Sequence, residues 1–176
     1  MRTGRENQIT KQLGEYLVVA ELARRGLLAT TFTGNVPHYD ILATDRDGHA
    51  FAIQVKASNG GGWQFDIQRF VEVRQEGERQ LLGSETKVPY PELICVFVFA
   101  GSKYGEDQFF ILTWCDLQQV LVSEYRWYLD HHNGVRPKRH DSYHTVLRPN
   151  SIEKFRDNWD LICQRVEKEG AGTANS

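Results

Sequence analysis

The stretch NVPHYDILATDRDGHAFAIQVKAS, residues 35–58, constrains the fold more than any other part of the sequence. Two runs in which apolar and polar residues alternate flank the turn sequence Asp45-Arg46-Asp47-Gly48, a pattern typical of a β-hairpin. Side chains alternate between the two faces of a strand, so the register decides which residues share a face. A three-residue loop with Gly48 in the left-handed position pairs Asp45 with His49.

This register predicts one polar face and one apolar face for the hairpin. Asp40 opens the first strand and faces Gln54 across the ladder, with Lys56 diagonal to both. The opposite face pairs only apolar side chains: Tyr39 with Val55, Ile41 with Ile53, and Ala43 with Phe51. A two-residue loop at Asp47-Gly48 would place Asp40 beside Val55 and mix the faces. The sequence therefore favours the register that brings Asp40, Gln54 and Lys56 to one side.

The segment from about Ile9 to Arg25 predicts a helix that ends at Gly26. At 3.6 residues per turn, the predicted apolar arc contains Leu13, Tyr16, Leu17, Val19, Ala20, Leu22 and Ala23. The predicted solvent side carries Lys11, Gly14, Val18, Glu21 and Arg25, of which Val18 is the apolar exception. Glu15 projects between Val19 and Leu22, at one edge of the apolar arc. A carboxylate buried there needs a partner, a metal ion or a wet cavity.

These residues suggest metal-assisted hydrolysis. A carboxylate on a strand and a second one on a neighbouring helix can hold a hard cation through oxygen ligands. Such a cation polarises a phosphodiester and lowers the pKa of a bound water. A lysine two residues beyond the second strand ligand, as Lys56 is beyond Gln54, can orient that water or stabilise developing charge. Gln54 offers a neutral carbonyl oxygen, which is a weaker ligand than a carboxylate.

Glu15 in a first helix, Asp40 opening a strand and Gln54-Val55-Lys56 on the next strand resemble the PD-(D/E)XK nuclease superfamily. The similarity is greatest to its Holliday-junction-resolvase-like and Mrr-like branches, in which a helix glutamate also joins the site. It covers roughly Ile9 to Ser58, with Leu93 to Ala100 as the later core strand. The resemblance implies a restriction-endonuclease-like α/β core of helix, three strands, helix and strand, with a mixed sheet flanked by helices.

The same resemblance implies a function and a set of roles. The substrate would be DNA and the cofactor Mg²⁺ or Mn²⁺, and members often act as dimers, so a homodimer is also expected. Asp40 would be the main metal ligand, Glu15 a supporting acid, Gln54 the variable ligand and Lys56 the catalytic lysine. The sequence departs from the pattern in two places, since Pro37 does not adjoin Asp40 and Gln54 replaces the commoner acidic residue.

The rest of the chain predicts further strands, helices and loops around this hairpin. The predicted strands are Leu28–Thr33, Trp63–Ile67, Leu93–Ala100 and Phe109–Trp114, with either a strand or a helical turn over Gln68–Arg74. The segments predicted to be irregular are Gln75–Lys87 and His131–Pro149. Asp116 is the predicted cap of a helix that runs to about Leu129. A final helix capped by Ser151 would place on one side Ile152, Phe155, Trp159, Ile162 and Val166.

The 176 residues fit one nuclease-like domain over residues 1–168, followed by a flexible tail over 169–176. The chain is 40% hydrophobic and 25% charged, with a net charge of −2, which excludes a generally basic nucleic-acid-coating protein. Cys95, Cys115 and Cys163 have no zinc spacing and are expected to be buried free thiols. No secretory signal or membrane-spanning run is present, so a cytoplasmic protein is expected.

Local features add candidates for nucleic-acid binding. Trp63 follows three glycines and could stack a base, although such aromatic residues are more often part of a core. Arg136, Lys138 and Arg139 form a small basic patch that could contact phosphates, or could simply be a solvated loop.

Two other functions are compatible with the sequence. A catalytically inactive nuclease-like module could bind nucleic acid or a partner protein. An assembly protein could use C-terminal aromatic residues such as Trp127 as an interface.

Overall fold

A five-stranded mixed sheet forms the centre of the computed structural model, which describes residues 3–32 and 38–164. In chain order the elements are α1 (Gly4–Arg24), β1 (Leu28–Thr31), β2 (Ile41–Thr44), β3 (Ala50–Ser58), β4 (Trp63–Asp66), a 3₁₀ helix (Ile67–Arg69), β5 (Val71–Glu76), β6 (Arg79–Glu85), β7 (Ile94–Phe99), β8 (Gln108–Thr113), α2 (Trp114–His131), β9 (His144–Leu147) and a second 3₁₀ helix (Pro149–Phe155). The sheet has the order β1-β2-β3-β7-β8, with β3 and β7 parallel and the other neighbours antiparallel. The predicted mixed α/β class is confirmed.

Apolar side chains pack against both faces of this sheet, which is why β7 is a continuous apolar run. On one face, Val18 and Leu22 of α1 pack with Ile53 and Val96. The core on the other face joins α2 to the sheet and also includes residues of β4 and β9, which pair with each other in a separate two-stranded sheet. The sheet is therefore covered by a helix on each side, as the sequence predicted.

The connection from β3 to β7 differs from the one that the resemblance implies. Residues 59–93 form β4, a 3₁₀ helix, β5 and β6, and they contain no α-helix. The second α-helix follows β8 instead, and its Leu117 and Leu121 are buried in the core on the side of the sheet away from α1. Because α2 supplies these residues, the core on that side closes without a crossover helix.

The segment Gln75–Lys87, predicted to be a loop, is mostly a hairpin strand. Strand β6 pairs with β5 around a turn that contains Gly77, at φ +59°. Only a few of its residues, such as Leu82 and the buried Gln80, pack inward, while most of β6 is exposed. A ribbon that packs on one face has too few apolar residues to differ from a loop in composition. The irregular segment His131–Pro149 likewise contains β9.

Helix α1 packs on the sheet through a side that combines Gly14 and Val18, which were predicted to face solvent, with Leu22 of the predicted apolar arc. Its buried residues are Thr10, Gly14, Val18 and Leu22. Its exposed large apolar residues are Ile9, Leu13 and Tyr16. A Cβ atom on Gly14 would lie 2.4 Å from the Cβ of Ala57, so the missing side chain lets the helix approach β3 closely. Close backbone approach, and not the number of apolar residues, sets the orientation of this helix.

Glu21 shares the packed side of α1, contrary to the prediction that it is solvated. Its side chain is only 16% exposed, and it forms ion pairs with both Arg24 and Arg25. These two pairs neutralise the partly buried carboxylate.

The predicted final helix is interrupted within the described residues. Ile152 has non-helical dihedral angles inside the second 3₁₀ helix, and Asp157 has φ +51°. Ile152 packs in the core next to α2, whereas Trp159 and Ile162 pack in the core next to α1. The amide of Asp157 donates to the carbonyl of Phe109 on β8, so the segment passes beside that strand between the two cores.

Helix α2 begins earlier than predicted. Thr113 is its N-cap, and Asp116 completes a capping box with it, so Asp116 lies within the first turn. Helix α1 begins in the same way, with a capping box between Thr3 and Glu6.

The cysteine prediction holds only in part. All three thiols are free, but Cys95 is buried, Cys115 is half-buried and Cys163 is exposed. Burial raises the pKa of the Cys95 thiol to about 12, so this group is uncharged at neutral pH.

Two further predictions concern the ends of the chain and membranes. Val166 and the predicted tail over residues 169–176 lie outside the described residues. No helix in residues 3–32 and 38–164 is long and apolar enough to cross a membrane.

Candidate active site

The β2–β3 hairpin has the register that the sequence predicted. Ile41 pairs with Ile53 and Ala43 with Phe51, and the amide of Asp45 donates to the carbonyl of His49 at 3.2 Å. Gly48 has φ +89°, the left-handed conformation that the three-residue loop requires. The predicted apolar face, which includes Ile41, Ala43, Phe51 and Ile53, is buried in the core next to α1.

Asp40 lies one residue before β2, where the backbone fixes its position and its orientation. Its amide donates to the carbonyl of Ile53 at 2.9 Å, and its Oδ2 accepts from the amide of Val55 at 2.9 Å. The carboxylate is therefore attached to β3, between the positions of Gln54 and Lys56. Its second oxygen, Oδ1, lies 3.2 Å from the Nζ atom of Lys11.

Asp40, Gln54 and Lys56 line one polar cleft of about 860 Å³, together with Asn7 and Lys11 of α1 and Gln64 of β4. The floor of the cleft comes from β3 and its walls from α1 and β4. The structure thus places the three residues of the predicted polar face around one open space, which is the geometry that the hairpin register required.

Lys56 is partly withdrawn from water inside this cleft. Its Nζ atom lies 4.6 Å from the centre of the Phe65 ring, a cation–π distance, and Phe65 is buried. Burial lowers the pKa of Lys56, and the positive charge of Arg69 lowers it further, while Asp40 acts in the opposite direction. The ammonium is held against a rigid ring instead of extending freely into solvent.

Glu15 joins this group through Lys11, one helical turn before it. The Nζ atom of Lys11 lies 3.5 Å from Oε1 of Glu15, whose side chain is 15% exposed. Burial raises the pKa of Glu15 and the nearby charge of Asp40 raises it further, whereas Lys11 lowers it. One ammonium therefore faces two carboxylates that come from different elements.

The sequence prediction missed Lys11 because it placed this residue on the solvent side of α1. The i,i+4 spacing of Lys11 and Glu15 is the signal that could have paired them. Once Gly14 orients α1 against β3, the same turn of the helix turns both residues towards Asp40.

The structure gives Trp63 and Arg136 packing roles. Trp63 is 3% exposed, and its ring lies 5.1 Å from that of Phe97 in an edge contact, so it is a core residue at the edge of the cleft. Arg136 donates to the carbonyls of Ser142 and His144 at 2.6 and 2.8 Å, which ties it to the loop that leads into β9. The other members of the predicted basic patch, Lys138 and Arg139, are exposed.

A second acidic group lies at the turn of the same hairpin. Oxygen and nitrogen atoms of Asp45, Asp47 and His49 lie within 4.8 Å of one another. However, Oδ1 of Asp45 accepts from the amides of Asp47 and His49, both at 2.9 Å, and its Oδ2 lies 2.7 Å from Nδ1 of His49. These contacts close the turn, so the group has a local structural explanation.

Comparison with known proteins does not assign the chain to a family. No family model matches it, and no curated protein matches it. Among solved structures it is similar to a bacterial homing endonuclease, I-Ssp6803I, with 14% sequence identity and a TM-score of 0.47 over 93% of this chain and 95% of that one. A similarity of this degree carries no functional weight.

Proposed function

We propose that the protein is a divalent-metal-dependent endonuclease that hydrolyses phosphodiester bonds in DNA, with a PD-(D/E)XK arrangement in its Q-x-K form. The observation that carries this proposal is the convergence of Asp40, Gln54 and Lys56 on one polar cleft, with Glu15 linked to Asp40 through Lys11. The acids of the hairpin turn are explained by the hydrogen bonds that close the turn. Asp40 is not explained in this way, because its Oδ1 is directed at the Lys11 ammonium.

The donor set fits a hard divalent cation. Asp40, Glu15 and Gln54 offer carboxylate and amide oxygens, which Mg²⁺ and Mn²⁺ prefer as ligands. Two of the three already face a positive charge, the ammonium of Lys11. When bound there, the cation would polarise the phosphodiester and lower the pKa of an attacking water.

The side chains of the cleft have separate tasks in this proposal. Asp40 is oriented by the hydrogen bond that its Oδ2 accepts from the amide of Val55, so its other oxygen, Oδ1, keeps a fixed direction. Lys56, held over Phe65, donates hydrogen bonds to the reacting phosphate or to the water and stabilises the negative charge that develops. Water is the nucleophile, so no covalent protein intermediate forms.

The proposal is tested with a panel of plasmid, linear, single-stranded and branched DNA, incubated with Mg²⁺ or Mn²⁺ or with a chelator. We expect metal-dependent cutting by the wild-type protein and a strong loss of cutting in Lys56→Ala, a difference that a contaminating nuclease would not produce. Equal cutting by Lys56→Ala with an intact fold would contradict the assigned site.

A second candidate function is a nuclease-like module that binds nucleic acid or a protein without cutting. Two observations favour it: Gln54 is neutral, and Lys11 already offsets part of the negative charge of Glu15 and Asp40. Calorimetric titration with Mg²⁺ distinguishes the two candidates, because a binding module has no need for a metal at Asp40. Absence of both metal binding and cutting, with the fold intact, would favour the binding module.

A further inference from the structure

Lys11 stands where a metal ion would meet the two acidic ligands. Its Nζ atom lies 3.2 Å from Oδ1 of Asp40 and 3.5 Å from Oε1 of Glu15. The two carboxylates are close to each other because they contact the same ammonium, and at 18% (Asp40) and 15% (Glu15) exposure both are poorly hydrated. In the metal-free protein, the ammonium offsets the repulsion between the two carboxylates.

A divalent cation and this ammonium cannot occupy the same position. A Mg²⁺ ion binds a carboxylate oxygen at about 2.1 Å, and Oδ1 of Asp40 is the oxygen that Lys11 contacts. Since the two cations also repel each other, binding of the metal requires Lys11 to move. The Lys11 side chain is 52% exposed and has a flexible four-carbon stem, so it can turn away without disturbing the core.

A displaced Lys11 side chain would still have the cleft beside it. Lys11 lines the same space as Gln54, Lys56 and Gln64, where a DNA backbone has to lie if it is cut at Asp40. A lysine near a phosphodiester contributes to affinity by neutralising a phosphate. Lys11 can therefore pair with the carboxylates in the metal-free protein and with a DNA phosphate once the metal is bound.

We propose that Lys11 is a displaceable counter-ion, which holds Glu15 and Asp40 together in the metal-free protein and turns onto a DNA phosphate when the metal binds. This inference rests on the proposed nuclease function. It adds a residue outside the Asp40, Gln54 and Lys56 group, and it predicts that metal binding and DNA binding are coupled through one side chain.

The first test measures Mn²⁺ binding by electron paramagnetic resonance, without DNA and at low ionic strength. Lys11→Gln removes the competing charge and should bind Mn²⁺ about tenfold more tightly than the wild type, because unscreened charges at this distance interact strongly. Lys11→Arg keeps a positive charge there and should remain close to the wild type. Arg5→Gln removes an exposed charge from the same helix and should change the affinity less than about twofold.

The second test measures DNA affinity in the presence of metal, in proteins that also carry Lys56→Ala so that the DNA stays intact. Lys11→Gln should weaken DNA binding about three- to tenfold and reduce its dependence on salt, because one phosphate contact is lost. Arg5→Gln again serves as the charge-matched control. Thermal unfolding of each variant confirms that it is folded.

The outcomes separate this inference from the proposed function. Wild-type Mn²⁺ binding that is lost in Asp40→Asn but not tightened in Lys11→Gln would overturn the role of Lys11 and leave the proposed site standing. Unchanged DNA affinity in Lys11→Gln would overturn the phosphate contact. Absence of any Mn²⁺ binding that depends on Asp40 would overturn the proposed function and this inference with it.

Discussion

The two ends of the β2–β3 hairpin both carry acidic groups, yet the two groups differ in what their oxygens contact. At the turn end, both carboxylate oxygens of Asp45 are engaged by residues of the turn itself. At the open end, one oxygen of Asp40 accepts from the backbone of β3 and the other is directed at Lys11. A cluster of acids is therefore a candidate site only when one carboxylate oxygen is not engaged by the backbone, faces an open cleft and can contact a cation.

The largest expected effect comes from removing a positive charge at the open end, with the same kind of change at the turn end as its control. Lys56→Ala at the open end should reduce the single-turnover rate of DNA cleavage by about 100- to 1,000-fold, because a preorganised group that stabilises transition-state charge is lost. Arg46→Ala removes an exposed cation from the turn end and should leave the rate within about twofold, as surface charges far from the reaction do. Similar losses in both variants would contradict the assignment of the site to the open end.

Much of the open end could be predicted from the sequence. Only one loop length makes every residue of the apolar face apolar, and this alone fixed the positions of Asp40, Gln54 and Lys56. The alternation of a hairpin is a local property, so neighbouring residues contain the information.

Lys11 could not be predicted in the same way, because its direction depends on how α1 meets β3. The predicted apolar arc of α1 included Leu22, which is buried, but also Leu13 and Tyr16, which are exposed. Gly14 determines the packed side through its approach to Ala57, a residue 43 positions later in the sequence. The final segment was mispredicted for a related reason, since Ile152 and Trp159 belong to two different cores.

A second prediction tests whether the close approach of Gly14 to Ala57 orients α1 beside the open end of the hairpin. Gly14→Ala should lower the free energy of unfolding by about 1–3 kcal/mol, because overpacking against Ala57 exceeds the gain in helix propensity. Gly4→Ala in the same helix meets no atom within 4 Å and should change the stability by less than about 0.5 kcal/mol. Urea denaturation measures both values. Equal stability of the two variants would show that close approach at Gly14 does not orient the helix.

The smallest expected effect comes from adding a carboxylate at the open end. Gln54→Glu should bind Mn²⁺ about threefold to tenfold more tightly, because a charged oxygen replaces a neutral one, and should keep or increase the rate of cleavage. Electron paramagnetic resonance and a plasmid-nicking assay measure the two quantities. Lost metal binding and lost cleavage together, in a folded variant, would show that Gln54 is not a ligand.

The most direct test of the central claim compares Mn²⁺ binding in Asp40→Asn and Asp47→Asn, which remove the same charge from the two ends of one hairpin. We expect the wild-type protein and Asp47→Asn to bind Mn²⁺ with the same affinity. In Asp40→Asn the affinity should fall at least about tenfold, because an amide replaces the carboxylate ligand that the backbone orients. Loss of binding in Asp47→Asn with full binding in Asp40→Asn would place the metal at the turn and contradict the proposed site.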